Sequence, residues 1–386
     1  MYICIVARGL PSERYKMNGI FEYDQARALS NWGIKIVYIA LDLRSFRRWR
    51  RWGIQRKVQE GMIIYQVNIP VGAVPDKVLC YFGKKILSYV FKRIVQKEGK
   101  PDIIHAHFVQ QAYMATVIKQ RYRVPLIITE HSDDVNKQVI KKDIFYIAKQ
   151  AYTIADAVLV VSEALKRRIQ EQFKIDAKII SNIIDFSCFR YIERKQKDYF
   201  QFVSVGGLIP GKQMDLLIDS FHMAFQDDKK VYLKIFGEGT ERVILEKKIE
   251  LYNLSERVLL LGLQDRQNIF REMEKSDCFI LLSKAETFGM AYVEAMATGL
   301  PVIATRCGGP EEFVNEQNGI LVPINNSEAV VKAMIKMRDS AIKYDSRKIS
   351  EYVIQKYSNN SIVTRLVEVY TKVGNNVFKN TKIEDV

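Results

Sequence analysis

Two glutamates eight positions apart, Glu286 and Glu294, bracket a segment that reads as a buried strand, a short polar turn and a helix closed by Gly299 and Pro301. A carboxylate can accept hydrogen bonds from two vicinal hydroxyls, the pattern a ribose or a hexose offers. Free backbone N–H groups expected at Phe288, Gly289 and Met290, together with the helix dipole, would favour a diphosphate at the strand end. Eight residues of continuous helix span about 12 Å of rise and roughly 80° of rotation. The two carboxylates therefore serve different parts of a ligand and do not form an acid/base dyad. On spacing alone, a capping carboxylate at Glu286 and a solvated Glu294 account for the pattern equally well.

Further candidates stand at other strand ends. The run Asp102-Ile-Ile-His105-Ala-His107-Phe108 brings two histidines to one such end, and Ile127-Ile-Thr-Glu-His131-Ser brings a third to the next. The chain has four histidines, so three at two strand ends mark a place. His105 shares a side of the strand with His107 but lies deeper, as a core histidine does. Val205-Gly206-Gly207-Leu-Ile-Pro-Gly-Lys212 and Phe236-Gly237-Glu238-Gly239 are strand-to-helix glycine turns, and Asn18-Gly19 precedes a helix. Each is compatible with a plain turn, Lys212 with a surface lysine, and His131 with a loop histidine.

Taken in order, these segments resemble one family. The run E-T-F-G-M-x3-E-A-M-A-x-G-x-P-V-I-A-T-x-x-G-G-P-E, from Glu286 to Glu311, is similar to the signature of glycosyltransferase family four. Those are retaining enzymes of the GT-B fold, α/β proteins with two Rossmann-like domains facing a central cleft. The resemblance implies that Glu286 holds sugar hydroxyls of a nucleotide-diphosphate donor and Glu294 its ribose. His107 would reach the donor sugar or the reaction centre, His131 the acceptor side, and Lys212 the leaving diphosphate. Asn18 and Gly19 would form a donor-phosphate loop, and Gly206, Gly237, Phe288, Gly289 and Met290 would complete the donor seat. Domain closure would bring His107 against the sugar, and front-face substitution would let the departing phosphate help deprotonate the acceptor.

The chain departs from that pattern at two places. Gly207 stands where the motif carries an arginine, which removes one cation from the leaving group. Ser181-Asn182-Ile183-Ile184-Asp185 occupies an Asn-Gly-x-Asp linker site with Ile in place of Gly, and reads as structural. The Gly308-Gly309-Pro310-Glu311 turn completes the motif either as a ligand loop or as a tight turn. No Asp-x-Asp occurs, so metal-independent chemistry is expected, with no cofactor beyond the sugar nucleotide as co-substrate.

The elements that must position these residues alternate along the chain. Strands are expected at 2–7, 35–41, 62–67, 102–105, 125–129, 157–161 and 178–180, with helices at 21–32, 78–97 and 110–122 between them. Short Val/Ile-rich runs of this kind suit a parallel sheet buried on both faces. After a charged, aperiodic break near 190–199 the pattern restarts. Strands follow at 202–205, 231–236, 258–261, 278–282 and 302–304, and helices at 214–225, 240–252, 266–275 and 288–298. We read residues 1–190 as an acceptor- and membrane-facing domain and 197–355 as a nucleotide-sugar domain. Residues 356–386 would form a helix packing back on the first domain, with a frayed tail.

Charge separates the two halves. Residues 1–196 hold 34 Lys and Arg against 18 Asp and Glu, whereas residues 197–386 hold 25 against 26. A basic half suits an anionic partner. Its densest run, Arg44-Ser-Phe-Arg47-Arg48-Trp49-Arg50-Arg51-Trp52, pairs cations with amphipathic rings, as an anionic membrane surface requires. Lys84-Lys85 and Lys92-Arg93 could share that patch. Single-stranded nucleic acid is the alternative taker of such a composition, and it is not the expected partner. Five cysteines without close spacing fit a reducing cytosol. No apolar stretch is long enough to span a bilayer, so a cytoplasmic protein on the inner face of the plasma membrane is expected. It would move a hexose-type sugar to a lipid-linked or growing polysaccharide. A sugar-nucleotide epimerase or phosphorylase on the same fold, and a non-catalytic partner subunit, are the competing readings.

Overall fold

In the computed structural model the chain forms two compact units, Met1–Ile183 with Asn359–Val386, and Ile184–Ser358. The structure describes residues 1–12, 15, 18–45, 47, 49–184, 186, 188–194 and 197–384, the side chains of 342 and 376–384 excepted. Arg48 and Asp185 lie outside the described residues.

The first unit is built on an eight-stranded sheet in the order β3-β4-β2-β1-β5-β6-β7-β8. The strands are β1 Tyr2–Ala7, β2 Lys35–Asp42, β3 Gly53–Gln59, β4 Met62–Asn68, β5 Ile103–His107, β6 Leu126–Glu130, β7 Ala157–Val160 and β8 Lys178–Ile179. Only the β3–β4 pair is antiparallel. All six residues of β1 and all five of β5 and β6 are buried, which is why their sequences are continuous apolar runs instead of alternating ones. The helix Ile20–Asn31 ends as a Schellman motif, with Gly33 N–H bonded to Ser30 O at 3.0 Å and Ile34 N–H to Leu29 O at 3.2 Å.

The helix Asn359–Glu384 belongs to this first unit. Its Ile362, Leu366, Tyr370 and Val373 join Ile3, Ile5, Ala26 and Ile127 in one core. Arg365 Nη2 donates to Ile179 O at 2.6 Å, tying the helix to the last strand.

The second unit has six parallel strands: β9 Phe200–Val205, β10 Val231–Phe236, β11 Val258–Leu260, β12 Cys278–Leu281, β13 Val302–Thr305 and β14 Gly319–Val322. Their order, β11-β10-β9-β12-β13-β14, is that of a Rossmann sheet. In each unit the winding reverses once, between β1 and β5 in the first and between β9 and β12 in the second. Open α/β sheets leave a crevice outside the carboxyl ends of the strands at that reversal. The two units thus each carry one such crevice.

Two strands escape the sequence reading. β3 is an edge strand in which the adjacent Arg56 and Lys57 fall on opposite faces, so charge masks the period-two pattern. Arg56 Nε reaches Glu98 at 2.8 Å and Tyr65 Oη donates to the same carboxylate at 2.9 Å, which anchors the edge. β14 is four residues long and opens on a glycine. Among the described residues, no helix is long and apolar enough to cross a membrane.

Candidate functional site

The crevice of the second unit is floored by the loops that follow β9, β10 and β12. After β9, Gly206 N–H bonds Phe236 O at 2.9 Å and Leu208 N–H bonds Glu238 O at 3.0 Å, so this loop and the β10 loop interlock through backbone. Gly237 sits at φ +146°, and a Cβ there would meet Gly206 O at 1.8 Å. The close approach admits no side chain. Gly207 differs: the nearest atoms to a Cβ at that position are 3.8 Å away. Space for a side chain exists where the arginine of the motif is missing.

Lys212 closes the β9 loop in a short 3-10 turn, Pro210–Lys212. Its Nζ donates to Glu286 Oε1 at 2.6 Å, and Ser283 Oγ donates to the same oxygen at 2.7 Å. Lys284 N–H bonds Gly211 O at 2.8 Å, which ties the β12 loop to the β9 loop. Residues 71 to 74 positions apart in sequence are thereby assembled across the reversal point. The Lys212 and Glu286 side chains are 25 % and 13 % exposed, sheltered enough to strengthen their pairing yet open to a ligand.

The helix after β12 starts later than expected. It runs Met290–Ala297, and its N-cap Gly289 is left-handed at φ +96°. Glu286 is therefore not helical. It forms a parallel bridge with Gly308, its N–H bonding Cys307 O at 3.1 Å and its O accepting from Gly309 at 3.0 Å. The rise calculated for an unbroken helix does not apply, and the first-turn donors move from Phe288–Met290 toward Met290 and its successors. The delay has a packing cause. The Phe288 ring is buried against Phe313 and Tyr357, which leaves only its backbone for a ligand. Glu311 accepts from Gly308 N–H at 3.0 Å, so it caps its own turn. Glu294 lies within the helix, 14 % exposed, with Arg266 Nη2 at 3.6 Å.

The crevice of the first unit gathers the histidines. His105, His107 and His131 are buried, and burial holds all three below the usual imidazole range, His131 at about 3. His107 Nδ1 lies 3.0 Å from His131 Nε2, and its Nε2 lies 3.4 Å from Gln25 Nε2. Both ring nitrogens of His107 are thus engaged. His105 contacts Tyr370 Oη and Thr129 Oγ1, each at 2.7 Å. Phe108, next in sequence, has φ +66° and ψ 153°, a region that a residue with a side chain occupies at a cost of about 1–3 kcal/mol. Asn18 and Gly19 stand at the mouth of the β1 loop. The Asn18 amide packs on Gly9, and Gly19 caps the Ile20–Asn31 helix at φ +73°.

Sequence reasoning missed Arg8, Gln25, Ser283, Arg266 and Tyr370. Arg8 had a signal: it is the first residue past β1 and so occupies the same strand-end position as the flagged histidines. Gln25 and Tyr370 carry none, because helix positions declare a partner only once the helix is packed.

The basic run divides. Asp42 pairs with Arg44 Nε at 2.8 Å and with Arg50 Nη2 at 2.6 Å, so these two cations serve the end of β2. Arg47, Trp49 and Arg51 are exposed, and Trp52 packs edge-on to Trp49 at 5.9 Å. On the helix Asp76–Glu98, Tyr81, Phe82 and Tyr89 are exposed beside Lys85, Lys92 and Arg93.

Comparison with known proteins places this architecture. Residues 187–355 match the profile described as glycosyl transferases group 1, and residues 21–187 that of Glycosyltransferase Family 4. An uncharacterized glycosyltransferase of Methanocaldococcus jannaschii is 33 % identical over 254 residues, 64 % of this chain and 68 % of the relative. The N-acetyl-alpha-D-glucosaminyl L-malate synthase of Bacillus anthracis is 26 % identical, covering 74 % of this chain and 78 % of its own. Among solved structures, sucrose-phosphate synthase from Thermosynechococcus elongatus superposes with a TM-score of 0.81 at 19 % identity, over 97 % of this chain and 99 % of that one. The Anabaena HepE protein in complex with UDP-glucose gives 0.71 at 17 % identity, over 96 % and 100 %. With two parallel-sheet units, matched profiles across both and the signature glutamates at the reversal point of the second, the chain belongs to glycosyltransferase family four and has the GT-B fold.

Proposed function

We propose that the protein is a retaining, metal-independent hexosyltransferase that takes its sugar from a nucleotide diphosphate and delivers it to an anionic, lipid-linked or growing polysaccharide acceptor. The observation that carries the donor side is the Lys212–Glu286–Ser283 cluster at the β9/β12 reversal. Glu286 accepts from sugar hydroxyls, Lys212 meets the leaving diphosphate, and Glu294 in the following helix takes the ribose. The first-turn N–H groups of that helix add a positive end to the same seat. HepE, with UDP-glucose bound, supports a sugar nucleotide, and a relative named as an N-acetyl-alpha-D-glucosaminyl L-malate synthase, whose product carries carboxylates, supports an anionic acceptor. Retention and independence from metal rest on the family signature and on the lack of Asp-x-Asp in the sequence.

Incubation with donor separates this reading from its rivals. Nucleoside diphosphate is expected to accumulate quickly only when an acceptor extract is added. Conversion of the sugar nucleotide to an isomer without acceptor would mark an epimerase.

The membrane side of the proposal follows the exposed aromatic and basic face of the Asp76–Glu98 helix, together with Arg47, Trp49 and Arg51, at the inner face of the plasma membrane. Co-sedimentation with liposomes checks it. Binding is expected with anionic lipid, and each of Lys85→Gln, Lys92→Gln and Arg93→Gln should weaken it by about 1 kcal/mol, or roughly fivefold. Equal binding to neutral liposomes, or none to either, contradicts it.

A further inference from the structure

Arg8 directly follows β1, and Phe108 directly follows His107 at the end of β5, so the two residues flank the reversal point of the first sheet. The Arg8 guanidinium stacks 3.3 Å from the Phe108 ring centroid, and Phe108 in turn lies 4.9 Å from the His131 ring. Arg8 Nε pairs with Glu22 Oε1 at 3.2 Å. Its terminal nitrogens have no partner among the described residues, and its side chain is 39 % exposed. A cation fixed by a ring face and one carboxylate oxygen keeps its two-pronged edge for a ligand.

The buried network behind it ends on a second donor. Gln25 turns its amide nitrogen toward both His105 Nδ1, at 3.3 Å, and His107 Nε2, at 3.4 Å, so both of those nitrogens accept. His107 must then carry its proton on Nδ1 and donate to His131 Nε2. That fixes the proton of neutral His131 on Nδ1, a buried atom with no well-aligned hydrogen-bond partner among the described residues, with the Asn182 side chain interacting beside it. Glu22 Oε2, on a fully buried side chain, likewise has no partner among the described residues. Buried polar atoms left unpaired are costly, and here a donor and an acceptor are left so beside an available arginine.

We infer that this crevice is an oxyanion site in which Arg8 and His131 Nδ1–H grip a phosphate or carboxylate of a substrate, with Glu22 accepting from a hydroxyl of the same molecule. His107, with both nitrogens used, is the positioning residue that sets the His131 tautomer. The inference rests on the glycosyl-transfer reading only in calling the ligand a substrate. The oxyanion has two sources, a charged group on the acceptor or the diphosphate of the donor.

Histidine-selective 15N labelling of the full chain tests it, because four imidazoles give a readable spectrum. Inorganic phosphate is expected to shift His131 while leaving His222, in the second unit, unmoved. Arg8→Gln should weaken that response at least tenfold, and Arg8→Lys, which keeps the charge without the fork, should weaken it less. A His131 signal that phosphate does not move, or that moves equally in wild type and Arg8→Gln, overturns the site. If Arg8→Gln does not fold, Arg8→Lys decides: an affinity unchanged from wild type overturns the two-pronged grip. Glycerol 3-phosphate and a nucleoside diphosphate, titrated separately, assign the source by which of them shifts His131 at lower concentration. Binding is read without turnover, so a protein that binds phosphate here yet transfers no sugar refutes the proposed function and not this site.

Discussion

Glu286→Gln is expected to lower the turnover of donor and acceptor on the order of a hundredfold while leaving the melting temperature nearly unchanged. Glu286 Oε1 receives Lys212 Nζ at 2.6 Å and Ser283 Oγ at 2.7 Å, so the carboxylate is both charged and oriented. An amide keeps the shape and one acceptor oxygen but loses the charge that strengthens bonds from sugar hydroxyls. Hydrogen bonds to a charged group contribute about 1.5–3 kcal/mol each, and about 1.4 kcal/mol is tenfold in rate. A hundredfold loss is about 2.8 kcal/mol, the equivalent of one such bond near the upper end of that range. The backbone bridge from Glu286 to Gly308 does not involve the side chain, which is why stability should hold. Turnover equal to wild type would remove Glu286 from the site.

Lys212→Ala is expected to cost still more, roughly 10²–10³-fold in kcat, the range seen when one preorganised partner of a developing negative charge is removed. Gly207 makes the dependence acute, since the motif's second cation is absent. The same reasoning gives a gain. Gly207→Arg meets nothing closer than 3.8 Å at its Cβ and needs no left-handed backbone, so it should fold. It should raise kcat, and raise it most in the Lys212→Ala background. Steady-state kinetics on the two single variants and the double variant measure this. If Gly207→Arg is well folded and changes neither kcat nor KM, the diphosphate does not sit against the β9 loop.

The parallel strands were legible because burial on both faces turns them into unbroken apolar runs, as in β1 and β5. The edge strand β3 was not, since one of its faces meets solvent and carries charge. At the site, Glu286, Lys212 and Gly237 declared themselves through order and spacing, and the structure brings Glu286 and Lys212 together. The start of the helix after Gly289 was misplaced because nothing local reports that Phe288 is drawn into a cluster with Phe313 and Tyr357. The basic run was read by its composition alone. Two of its five arginines, Arg44 and Arg50, are committed to Asp42, a partner that sequence distance hides only slightly but geometry had to select.

On the proposed reading, the second unit seats a nucleotide-diphosphate sugar across the β9/β12 reversal. Thermal denaturation of the wild type and of Lys212→Ala and Glu294→Ala, each with UDP-, GDP- and ADP-sugars, tests it most directly. A ligand at a hundred times its Kd adds about 2.7 kcal/mol to the state that binds it, which for a unit of this size is a rise of roughly 5–11 °C. That rise is expected for one base in the wild type, with its loss in both variants. No stabilisation by any sugar nucleotide, or an equal rise in Lys212→Ala and Glu294→Ala, would contradict it.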